Sequence, residues 1–234
     1  MVEIAISLAI IGIALVAILG VLPIGMNMQR DNREKTVINQ DAAVMLEAIR
    51  VGARGPDDLT NYVFMITNTY AHVAYSNFTS GARIVGLLGT PEFVDADFQS
   101  TIPANAARSN RMVAFTYSLS GPAVEKPPQL IGSLIRQSSF SYGLVCENVP
   151  VPMDPNAVTN SDSTYGAQLA ANLHEIRLTF LWPLLPDSQP PKFHHGTGNQ
   201  TYRALVAGRQ ILDTNTMPGV NLYFFQSQTF TNAP

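Results

Sequence analysis

Hydrophobic positions run almost without interruption from residue 4 to residue 28, IAISLAIIGIALVAILGVLPIGMNM, where only Ser7 and Asn27 carry polar side chains and no charge occurs. The run exceeds the roughly 20 apolar residues that span a bilayer as a helix. It lacks the polar stripe that a helix of a water-soluble domain keeps for solvent. A secretory signal has a basic start, an apolar stretch of about 7 to 15 residues and a small-residue cleavage site. Here an acid, Glu3, comes first and the run is about twice as long.

Past Met28 the pattern changes. The mixed-charge stretch QRDNREK leads into Val37, Ile38, Ala42, Met45, Leu46, Ile49 and Ala53, which recur at three-to-four spacing and so share one helical face. Gly52, Gly55 and Pro56 supply the stop. One helix from Val2 to about Gly52 measures roughly 75 Å at 1.5 Å per residue, apolar all round in its first half and amphipathic in its second. Pro23 removes a backbone donor within it and Gly20 and Gly25 flank it, which predicts a kink or a melted stretch at residues 20–25. Ala5, Ala9 and Gly12 form a small-residue stripe of the kind that lets helices approach closely.

An acid heading a bilayer-length apolar helix costs a few kcal/mol when drawn into lipid. Next to the helix N-terminus it is favourably placed against the dipole, and it offers a carboxylate to a cation such as the terminal ammonium of another copy. The stretch MVEIAISLAIIGIALVAILGVLPIG, continued by an amphipathic helix, resembles the N-terminus of type IV pilins and of the pseudopilins of type II secretion systems. The resemblance covers about the first 50 residues. It implies a leader cut off before the apolar stretch, N-methylation of the new terminus, and a glutamate, here Glu3, that neutralises the terminal amine of the neighbouring subunit. The family usually has four residues between the cut and the acid, whereas only Met1 and Val2 stand here; two mature residues and a basic leader are expected upstream. The expected assembly residues are Met1, Glu3 and Pro23, with Gly12 of the small-residue stripe and Gly20 beside Pro23. In the family, melting near a proline of this helix accompanies assembly.

Beyond residue 56 the chain is long enough for a domain with its own core. Asp57 and Asp58 are expected to open a second amphipathic helix carrying Leu59, Tyr62, Val63, Ile66, Tyr70 and Val73 on one face. Strand-like runs follow at residues 82–88, 111–119, 139–148, 174–182, 202–212 and 220–230, rich in β-branched and aromatic residues and bounded by Pro, Gly or Asn. Two connections, 149–166 and 183–200, exceed the usual 4 to 6 residues. The expected architecture is α+β: a long N-terminal helix packed on an antiparallel sheet, as in pilins. The expected organisation is 1–28 as apolar stalk, 29–55 as its amphipathic continuation and 56–234 as a β-rich head.

Charge and chemistry narrow the function. Charged residues make up 13% of the chain and the net charge is −3, so no basic footprint for nucleic acid exists. Cys146 is the only cysteine, which excludes an intramolecular disulfide such as the resembling family often carries, and reads as a small buried hydrophobe. His194 and His195 with His174 and Glu175 lack the spacing of a helical zinc motif, and Asp95 and Asp97 lack the Gly and Glu of a calcium loop. Asn77-Phe-Thr79 and Asn199-Gln-Thr201 match the N-glycosylation pattern, which arises often by chance. With no phosphate-binding loop, nucleophile elbow or haem attachment motif, no cofactor, metal or catalytic role is expected. The expectation is a structural subunit that polymerises with copies of itself into a pilus-like extracellular filament. It would be stored in the bacterial inner membrane and handled there by pilus or secretion assembly machinery. A minor pseudopilin and a single-pass anchored adhesive module are the alternatives.

Overall fold

A computed structural model describes residues 2–52, 57–69, 72–92, 111–120, 140–151, 169, 171–185, 194–226 and 229. Met1, Ala53, Gly55, Pro56, Tyr70, Asp95, Asp97 and most of the 149–166 connection lie outside the described residues. The chain divides into two compact units, Met1–Gln40 and Asp41–Pro234.

Helix α1, Val2–Val51, contributes to both units. It is helical without a break through Pro23, so the stretch at 20–25 is not melted. Proline's fixed φ is compatible with a helix, and its cost there is one missing backbone hydrogen bond and a steric push on the preceding turn. The first unit consists of α1 alone. Its large apolar side chains between Val2 and Met28 are 51–72% exposed, on every side of the helix.

In the second unit the end of α1 buries Ala42, Met45 and Ile49 on the face that the spacing predicts, and its other face, Val44 and Val51, is exposed. A single 3₁₀ turn, Asp57–Asn61, follows and leads into strand β1, Val63–Asn68. The second amphipathic helix expected here does not form. Val63, Ile66 and Thr67 are β-branched, and the ladder they make with β3, Met112–Tyr117, outweighs a weak helical period. β2 is Ala74–Ser76. The run 82–88 is also reversed: it forms helix α2, Gly81–Leu88, not a strand. Short buried apolar runs do not reveal their period; here the Asp57 carboxylate accepts the Gly81 amide at 3.0 Å and caps the helix start, a role that the Ser80 hydroxyl leaves open.

β4 is Ser141–Pro150, β5 Leu173–Leu184 and β6 His195–Ala207. With β1 to β3 they make a six-stranded antiparallel sheet in the order β2-β1-β3-β4-β5-β6. Of the expected surface loop 183–200, residues 183–184 and 195–200 lie in strands, and residues 186–193 lie outside the described residues. Its two ends extend the β5–β6 hairpin, where Trp182 lies flat over Gly198 in space that a Cβ would fill. The run 202–212 splits at Gly208, whose φ of 135° is open to glycine, into β6 and β7, Arg209–Asp213. β7 pairs with β8, Leu222–Gln226, as a separate two-stranded sheet.

Along β5, His174, Ile176, Leu178, Phe180 and Trp182 point inward and alternate with half-buried Glu175, Arg177 and Thr179. The inward face carries the core, with Tyr142 against Phe180 at 5.1 Å and Phe180 edge-on to Tyr202 at 5.6 Å between ring centroids. The opposite face bears a charge ladder: Arg111 to Glu147 at 2.8 Å, Arg177 to Glu175 at 2.9 Å and Arg203 to Glu175 at 3.8 Å.

Candidate functional site: the stalk and the seat of its helix

Glu3 stands in the first turn of α1, and its carbonyl accepts the Ser7 hydroxyl at 2.9 Å. From there the stalk carries no buried residue over the window that is apolar and long enough to cross a membrane. A helix in the core of a soluble domain passes the same test of length and composition but is mostly buried. A Cβ at Gly12 or Gly20 meets nothing within 4 Å, so within the monomer neither position requires glycine. At the far end of the apolar run Arg30 pairs with Glu34 at 2.9 Å, one turn on.

Where α1 enters the second unit, Asp41 is fully buried on the apolar face of the helix. Its carboxylate accepts the Leu119 amide at 2.9 Å, the Ser120 hydroxyl at 2.5 Å and the Tyr142 phenol at 2.9 Å. Burial raises its pKa above the ordinary carboxylate value; the hydrogen bonds from Ser120, Leu119 and Tyr142 oppose that rise. Burial, with the neighbouring Asp41 charge, also keeps Tyr142 protonated. α1 ends at Gly52, where φ is 67° and a Cβ would overlap the Phe225 carbonyl. The seat of the helix is thus fixed by one carboxylate at its start and one glycine at its stop.

The residues weighed for other chemistry are dispersed. His174 is buried on β5 with Nδ1 2.9 Å from the Asn148 side-chain oxygen, while His195 lies at the other end of the β5–β6 hairpin, opposite Leu184. Among the described residues no group of three or more His, Cys, Asp or Glu is placed to hold a metal ion. Cys146 is buried, its thiol donates to the Leu88 carbonyl at 3.1 Å, and burial raises its pKa, so it is an inert core residue as its strand position predicts. Of the glycosylation matches, Asn77 is exposed at a φ of 58° just after β2, and Asn199 is exposed within β6.

No protein-family model, curated protein or solved structure matches this chain. The physical pattern therefore carries the functional reading: an apolar helix without an interior, continuous with a helix end that has one. Sequence reasoning passed over Asp41, although an acid three residues after Ile38 and four before Met45 is out of place on an apolar stripe and signals a buried acceptor. It also passed over Asn148 and Gln210, which hold the Gly89 carbonyl at 2.7 and 2.6 Å.

Proposed function

We propose that this chain is the structural subunit of a pilus-like helical filament, in which the stalks of many copies cover one another and the β-rich heads face outward. The observation that carries the reading is the stalk: an acid at its head, followed by apolar side chains exposed on every side. Such a surface is stable in lipid or against other copies and not in water. The membrane serves as the store, and assembly exchanges lipid for neighbouring stalks. Gly12 and Gly20, which have no contact to satisfy in the monomer, are positions of close approach between helices. Glu3 pairs with the terminal ammonium of a neighbour and sets the register, because an unpaired charge in an apolar core is costly.

Electron microscopy of sheared cell-surface material tests this directly. Thin regular fibres containing the chain are expected, and Glu3→Ala is expected to reduce their yield or disturb their register. Chain retained in the membrane with no fibres would replace the reading with a single-pass anchored module. Fibres of normal yield and register from Glu3→Ala would remove the role of Glu3 alone.

A further inference from the structure

We propose that His174 is an acid-sensitive latch: protonation of its ring releases the β7–β8 hairpin from the six-stranded sheet. The proposal concerns the head alone and stands apart from the filament reading.

His174 is 2% exposed and sits where the two sheets meet. On one side is Asn148 of β4; on the other the ring of Phe225 of β8 stands edge-on at 5.3 Å. The Asn148 amide nitrogen donates to the Gly89 carbonyl at 2.7 Å, which turns its oxygen toward the histidine and makes Nδ1 the donor of that bond. A further proton therefore goes to Nε2 and places a full charge inside the sheet junction. The same Gly89 carbonyl accepts Gln210 of β7 at 2.6 Å, so one atom ties the helix α2 end, β4 and the hairpin together.

Among the described residues no charge offsets the burial of the ring. Among the described residues the ionisable groups on that side of β4 and β8 are the Cys146 thiol and the Tyr223 phenol, and burial keeps both neutral, pushing the phenol up to about 12. Glu147, Glu175, Arg177 and Arg203 belong to the ladder on the opposite face, and the Glu92 carboxylate couples to Glu147, Arg111 and Arg177. Arg83 of α2 and Asp213 of β7 are engaged at the hairpin turn, both through Thr216. Arg209 of β7 is exposed, and Asp41 is bound beside Tyr142 at the other end of β4. Desolvation accordingly lowers the His174 pKa to about 4.

Water reaches the ring most cheaply by lifting β8. β4 and β6 flank His174 through long ladders, opposite Pro150 and Val206, whereas β7–β8 is a lone pair of strands, a unit of marginal stability. Protonation favours the open form because the ring is then hydrated at its ordinary pKa near 6.5.

Hydrogen exchange on the full chain in detergent micelles, corrected for intrinsic rates, is the test. From pH 7.5 to pH 5 protection of residues 222–226 is expected to fall about 30-fold, while the amides of β4 and β5 keep theirs. His174→Gln, which retains an amide donor toward Asn148, is expected to remove that fall. In the unaltered protein, exchange at the imidazole C2 position should titrate near pH 4 for His174. Equal loss across β4, β5 and β8, no loss at all, an unchanged fall in His174→Gln, or a titration near pH 6.5 would each overturn the latch.

Discussion

Residues 2–28 and residues 41–51 belong to one unbroken helix and obey opposite rules. The first stretch exposes every large side chain and contains no polar contact beyond the Ser7 back-bond. The second buries Ala42, Met45 and Ile49 and uses a charged residue, Asp41, to bind the Leu119 amide and two hydroxyls. Helical geometry is the same in both, so the difference lies in what satisfies the side chains. In the second stretch the chain's own sheet does so; in the first the described residues supply nothing. Stability of the second stretch is therefore a property of the monomer, and that of the first a property of its surroundings.

Substitutions sharpen this contrast, beginning with the head. Phe180→Ala empties a fully buried ring site between Tyr142 and Tyr202 and is expected to cost about 3–5 kcal/mol. Denaturant unfolding of the detergent-solubilised chain measures it, and membrane retention should be unaffected. A stalk that loses retention in this variant would break the separation of the two regions. Leu15→Arg reverses the pattern. A cation in the middle of the apolar run is expected to weaken membrane insertion by about 3–4 kcal/mol relative to leucine, read by membrane fractionation, with the head's unfolding midpoint unchanged.

Asp41→Ala strands three donors and is expected to destabilise the head by about 1–3 kcal/mol. Its pH signature separates it from His174. The folded pKa of Asp41 is raised, so its contribution is fully present below the ordinary value of 3.8 and is lost as pH rises through the folded value. For His174 the folded pKa is lowered, so stability is present above 6.5 and is lost as pH falls toward 4. Stability curves of Asp41→Asn and His174→Gln against pH should therefore flatten on opposite slopes. Gly12→Ala and Gly20→Ala come last. In micelles they are expected to alter the monomer by at most about 1 kcal/mol, in the stabilising direction, yet to reduce filament yield. An unchanged yield would leave those glycines without a role between helices.

The local elements were legible to different degrees, and particular residues show why. Residues 111–119, 139–148 and 174–182 read as strands because β-branched and aromatic residues crowd them between Pro, Gly or Asn, and β3, β4 and β5 lie there. Residues 82–88 are apolar but for Arg83, and so short a run shows no period that distinguishes strand from helix. The choice came from Asp57, which caps Gly81 from 24 residues away, and from Phe224 and Leu222, which pack so closely on Gly86 that a Cβ would lie 2.7–2.8 Å from them. The 59–73 segment carried a weak helical period that pairing with β3 overrode. Gly208 looked like one more residue of a strand until its φ of 135° parted two sheets.

What the sequence by itself determined is the stalk: helix type, length and all-round apolarity follow from composition and spacing, which need no partner to be read. The tertiary structure alone decided the order of the strands, the helical state of α2, and the pairing of Asp41 with Tyr142 and of His174 with Asn148. Those depend on contacts between residues far apart in the chain, 101 positions for Asp41 with Tyr142 and further still for Gly86 with Phe224. A local pattern specifies which faces need covering, and only the fold specifies which residues cover them.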